Sequence, residues 1–137
     1  MANTLLRVCY RNAHNDKNST EVILTGPPRL LDITDVIAPT LVDGAFFIPR
    51  QVGLPDAHFD NWNWCGEDHP YHTFGCRQRG ELHELIEPTE RPTTLAMSWS
   101  ELVARFAAIR GWDPEDWPGR GTAADVPLGV LTSEETL

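Results

Sequence analysis

Residues 4–25 read TLLRVCYRNAHNDKNSTEVILT, and the fold turns on how this stretch is read. Over residues 4–11 the side chains alternate, with Leu6, Val8 and Tyr10 on one side and Arg7, Cys9 and Arg11 on the other. Successive side chains of an extended chain point to opposite faces, so this is the pattern of a half-buried strand. Residues 12–19, NAHNDKNS, are turn chemistry, because short Asn, Asp and Ser side chains compete for nearby backbone groups. Residues 20–25 resume the strand pattern, with Val22 and Leu24 on one face and Ile23 opposite. The two runs make an antiparallel hairpin with a long loop, ended by Gly26, Pro27 and Pro28.

A hairpin buries its apolar face only if something covers it, and residues 99–110 supply the cover. Ser98 and Glu101 have the S-x-x-E spacing of a capping box. Trp99, Leu102, Val103, Phe106 and Ile109 recur at helical spacing as one apolar stripe, and Glu101 can pair with Arg105 one turn on. Gly111 is the expected C-terminal cap and Pro114 prevents continuation. Between hairpin and helix the signals are weaker. Asp32 can cap a short helix carrying Asp35 in its first turn, with Val36 and Ile37 inward and Pro39 limiting it. Asp43-Gly44 leads into a strand at 45–48, or closes a tight hairpin against Leu41 and Val42. Residues 81–87 fit a helix or an edge strand; strand is the reading adopted, followed by a turn at 88–92 and an extended run at 93–97. The expected fold is therefore α+β: a small, mostly antiparallel sheet with one amphipathic helix packed across it and one short helix. Residues 1–112 form the domain, and 113–137, rich in Pro, Gly and acids, an extended C-terminal arm.

The totals agree with one globular domain: 137 residues, 41% hydrophobic and 23% charged. A net charge of −9 argues against direct binding to nucleic acid or to an anionic membrane, both of which need clustered Lys and Arg. No run approaches the roughly 20 apolar residues of a membrane span. Three cysteines are too few for a disulfide framework, so a reducing cytoplasm is expected.

Candidate chemistry concentrates in residues 45–76. Cys65, His69, His72 and Cys76 follow C-x3-H-x2-H-x3-C, four zinc-competent groups at an uncommon spacing; the competing reading is buried thiols and surface histidines. His58, His69, His72 and His83, with Glu67 and Asp68 nearby, offer acid–base groups. His83-Glu84 begins an H-E-x-x-H pattern, but Glu87 stands where the second His belongs. Phe59, Trp62, Trp64, Tyr71 and Phe74, together with Asp68, form an aromatic and acidic set suited to a cation, an apolar ligand or a protein partner. They could equally cap the core. No G-x-S-x-G, P-loop or G-x-G-x-x-G motif is present, so the sequence offers no nucleophile.

The run FIPRQVGLP at 47–55, followed by DHPYH at 68–72, resembles short uncharacterised bacterial proteins, some carried on mobile elements such as integron gene cassettes. The resemblance spans about residues 4–110 and implies a free-standing accessory domain, with no activity, cofactor or catalytic residue attached. The functional expectation is a non-enzymatic cytoplasmic binding or interaction module that needs no cofactor, with an unknown protein or small molecule as ligand. A small zinc-dependent hydrolase is the alternative, and an acidic mimic that occupies a DNA-binding partner's groove the third. An arm with no periodic element needs a surface to hold it. A homodimer would supply one, with Trp112, Trp117, Val126 and Leu128 at the interface.

Overall fold

In the computed structural model, which describes residues 2–11, 17–57, 69–75 and 81–114, the sheet is built around strand β1 (Asn3–Arg11). One edge of β1 pairs antiparallel with β2 (Lys17–Leu24), in unbroken register from Thr4 opposite Leu24 to Arg11 opposite Lys17. The other edge is shared by two short strands. β3 (Thr73–Phe74) pairs with Val8 and Cys9, and β4 (Ile86–Thr89) pairs with residues from Asn3 to Leu6. All four strands pair antiparallel, and the architecture is α+β as expected.

The alternation read from the hairpin sets the two faces of this sheet. Leu6, Val8, Tyr10, Val22, Leu24, Phe74 and Ile86 form its core side. On the opposite side Arg7 lies between Glu21 of β2 (3.1 Å) and Glu87 of β4 (3.7 Å), and Arg91 reaches Glu21 at 3.1 Å. That side is not uniformly solvated. Leu5, Cys9 and Ile23 are buried on it, and at Leu5 and Ile23 the chain after β4 crosses over: Asn3 Nδ2 donates to the Arg91 carbonyl, and Thr94 exchanges bonds with Ile23. Residues 94–99 then run along the outer edge of β2, where Thr25 N donates to Met97 O and Trp99 N to Thr25 O.

The covering helical layer begins after β2. Residues 30–40 coil continuously: α1 (Leu30–Asp32), a wide π turn (Ile33–Ile37) and α2 (Ala38–Thr40). Pro39 has no N–H to bond back into the preceding turn, and the π widening lies immediately before it. Asp32, the expected N-cap, instead sits inside this stretch and accepts the indole N–H of buried Trp99 at 2.9 Å. Ile33 and Ile37 face inward, while Val36 is only half-buried. Next, Val42 and Phe46 bridge across Asp43 and Gly44, both at positive φ, which is the tight-hairpin alternative. Phe47 makes an isolated two-bond bridge to His72, and Pro49–Val52 forms a 3-10 turn.

Residues 81–87, expected as strand, divide into one helical turn, α3 (Leu82–Leu85), and the start of β4. A reciprocal Glu81/Glu84 capping box closes the turn, and Ile86 then enters the sheet beside Leu6. His83 and Glu87 thus share no helix face. The main helix, α4 (Trp99–Ala107), starts where expected, with Ser98 Oγ accepting from Glu101 N at 3.0 Å. The Glu101 side chain pairs with Arg105 at 2.9 Å rather than returning to Ser98. The helix also stops earlier than the sequence suggests. Arg110 Nη1 folds back onto the Ala107 carbonyl, and Gly111 is not its cap.

At the centre of the core four rings meet. Phe47 stacks on Phe74 at 4.4 Å, and Phe106 of α4 packs against Phe47, Phe74 and Trp112 at 5.9–6.0 Å. Trp112 also donates its indole N–H to the Thr40 carbonyl at 2.7 Å. Gln51 clasps the next residue with both amide atoms, donating to Asp113 O and accepting Asp113 N–H. Trp112, expected at a subunit interface, is therefore an anchor within its own chain. Trp117, Val126 and Leu128 lie outside the described residues.

Candidate functional site

The centre of the candidate segment is built on Tyr10, His69 and His72. β1 carries Tyr10 on its core side, fully buried, with its ring between the imidazoles of His69 (5.0 Å) and His72 (5.2 Å). His72 is placed by its backbone bridge to Phe47 and is itself buried. Its Nε2 accepts the Ala57 N–H at 2.9 Å. A nitrogen that accepts carries no proton, so Nδ1 holds it and donates to the Pro70 carbonyl at 3.0 Å. His69 has the opposite tautomer: Nδ1 accepts the Tyr71 N–H at 3.1 Å, and Nε2 donates to the Arg11 carbonyl at 2.7 Å. The backbone N–H of His69 in turn donates to Tyr10 Oη at 3.2 Å.

These bonds fix the two points between which residues 58–68 run. Ala57 is held at both polar atoms, its N–H by His72 and its carbonyl by Asn18 Nδ2 of β2 at 3.2 Å. His69 is held by Tyr10 and Arg11 at the end of β1. Hydrogen bonds that satisfy buried backbone groups hold the chain at these two points.

The aromatic and acidic set divides. Phe74 is a core residue, stacked on Phe47 and paired opposite Val8, and is closed to a ligand. Tyr71 is half-exposed beside His69, with ring centroids 6.4 Å apart. Phe59, Trp62, Trp64 and Asp68 lie outside the described residues, as do His58 and Glu67. Of the zinc candidates, His69 and His72 already use both ring nitrogens on backbone groups, so a metal would have to displace a bond at each. Cys65 and Cys76 lie outside the described residues. Cys9, which the spacing argument did not include, is disulfide-bonded. That bond runs against the expectation of reduced thiols. The sequence carried little signal for this: Cys9 lies on the side away from Leu6, Val8 and Tyr10, and only the structure shows it buried there.

Several described carboxylates have arginine partners. Glu21 and Glu87 contact Arg7, and Glu101 contacts Arg105. The Arg91 hydrogen bond, followed by the charges of Arg91 and Arg7, holds the Glu21 carboxyl below its ordinary value. Among the described residues no three His, Cys, Asp or Glu side chains converge as a metal site. No described helix is long and apolar enough to cross a membrane. No family model matches the chain, and neither a curated protein nor a solved structure does.

Proposed function

We propose that this protein is a non-enzymatic binding module that presents residues 58–68 from a histidine-pinned base. The observation that carries this reading is the use of the imidazoles. Both ring nitrogens of His69 and of His72 bond backbone groups, which suits them to hold a loop and leaves them unsuited to move protons or ligate metal. Between these two held points the sequence carries Phe59, Trp62, Trp64 and Asp68, and half-exposed Tyr71 follows. Its ligand would be a cation-bearing small molecule or a protein surface, for which aromatic faces with a carboxylate are apt. The free-standing bacterial accessory role implied by the resemblance is compatible with this.

The zinc-hydrolase alternative draws less support, since His69 and His72 already use both ring nitrogens on backbone groups. The acidic-mimic reading is weakened by the arginines beside Glu21, Glu87 and Glu101. The Cys9 disulfide favours an oxidising compartment over the cytoplasm expected from the cysteine count. Alkylation of freshly isolated protein before mass measurement decides this.

The function is tested with tagged wild type and a Trp62→Ala, Trp64→Ala double variant, both used in pull-downs at low and high salt. A partner retained by wild type and lost by an equally folded variant is the expected result. Identical captures by the two, or stoichiometric zinc in elemental analysis of the wild type, would overturn the proposal.

A further inference from the structure

We infer that the outer edge of β2 is a homodimer interface, in which residues 17–21 pair antiparallel with the same residues of a second copy. In β2 the amide and carbonyl of Ile23 point away from β1, toward Thr94, and those of Thr25 point toward Met97 and Trp99. Strand alternation sends the backbone groups of Glu21, Ser19 and Lys17 in the same outward direction. Among the described residues nothing pairs with them: the covering run at 94–99 reaches Ile23 and no further along the strand. The register with β1 is unbroken through Lys17, so no bulge turns this edge aside. Lys17, Asn18, Ser19 and Glu21 are all exposed. A straight edge with no partner among the described residues is a template for another strand.

The sequence of the edge selects the occupant. A two-fold axis through Ser19 sets Lys17 opposite Glu21 of the second copy and Glu21 opposite its Lys17, with Asn18 facing Thr20. The edge is thus complementary in charge to itself, as an isologous interface requires. In such a pairing each outward residue exchanges its N–H and C=O with the one it faces. Facing side chains are about 5 Å apart at Cβ, within reach of an ion pair. Glu21 can accept the extra partner. Its Oε1 meets Arg91 and its Oε2 meets Arg7, one contact each, whereas a carboxylate has about four acceptor positions. Lys17 is the only lysine among eleven basic residues, and it stands where this pairing needs a long cationic side chain. The two sheets would join into one continuous sheet across the axis. This dimer does not depend on the C-terminal arm or on any ligand of residues 58–68.

Because Lys17 is the sole lysine, carbodiimide coupling can join a side-chain amine to a carboxylate only there. The expected product is a covalent dimer in which mass spectrometry locates a Lys17–Glu21 amide. Within one chain the two lie about 13 Å apart along the strand and cannot be coupled directly. Ser19→Pro removes an amide that makes no bond to β1, and it should abolish the cross-link while circular dichroism stays unchanged. Lys17→Glu and Glu21→Lys should each weaken association on the order of tenfold or more, by light scattering over a concentration series. Mixed together they restore opposite charges in every facing pair and should dimerise again. That rescue keeps the inference testable even if the proline variant does not fold. A monomeric mass at every concentration up to roughly 1 mM would overturn it. So would a dimer indifferent to all three substitutions.

Discussion

Replacing His72 with alanine tests whether the imidazole is a structural pin. The ring is 1% exposed and bonds two buried groups, the Ala57 N–H and the Pro70 carbonyl. Truncation leaves both without that partner, at roughly 1–3 kcal/mol for each orphaned group. The vacated volume against Tyr10 adds to the loss, which we put at about 3–5 kcal/mol in total. A domain of this size has about 5–15 kcal/mol of stability, so the variant should fold but marginally. With a urea dependence near 2 kcal/mol per molar, the unfolding midpoint should fall by about 1.5–2.5 M. His69→Ala, whose ring is only half-buried, should lose about half as much. A His72→Ala midpoint within about 0.3 M of wild type would refute the pin. So would a wild-type protein that a chelator destabilises as strongly as the mutation does.

Trp112→Phe keeps most of the ring contact but loses the bond to Thr40, for about 1–2 kcal/mol, and Trp112→Ala should cost about 3–5 kcal/mol. Both losses should be independent of protein concentration in thermal melts, whereas an interface residue would give losses that grow on dilution. Gly53→Ala should destabilise by about 1–3 kcal/mol, because φ is +82° and a Cβ would meet Met97 Cε at 2.7 Å and Arg105 Nη1 at 3.1 Å. Gly44→Ala, at φ +72° but in open space, should cost less in the same urea titration. The lowered carboxyl of Glu21 stabilises the folded state above the ordinary glutamate value, and that contribution disappears as the carboxyl is protonated on acidification. The stability gap between wild type and Glu21→Gln should therefore be constant near neutrality and close as pH falls through and below roughly 4, followed by urea unfolding at each pH.

How far the sequence could be read depended on whether a feature was local. The alternation of Leu6, Val8 and Tyr10 marks a strand because one face is buried, and the stripe from Trp99 to Phe106 marks a helix for the same reason. Ser98 needs only its own next turn to act as a cap. Residues 81–89 resist such reading, because one turn of helix and four residues of strand are each too short for a period to emerge. Asp32 looked like a cap because its type suits one, but its partner, Trp99, is 67 residues away in sequence. The same limit governs the candidate site. Spacing identified His69 and His72 as residues with lone pairs to offer, but one partner of each, Arg11 and Ala57, comes through tertiary packing, while Tyr71 and Pro70 lie two residues away. Phe74 and Trp112 have the composition of contact residues, and only the ring cluster around Phe47 and Phe106 assigns them to the core.

The two histidines, three residues apart in one segment, are held in opposite tautomers, and long-range 1H–15N correlation of their imidazoles at neutral pH reads this directly. The expected spectrum has the proton of His72 on Nδ1 and that of His69 on Nε2, each fixed rather than averaged. Reversed assignments, fast averaging between tautomers, or ring nitrogens shifted by a bound metal would contradict the claim that these side chains pin the base of residues 58–68.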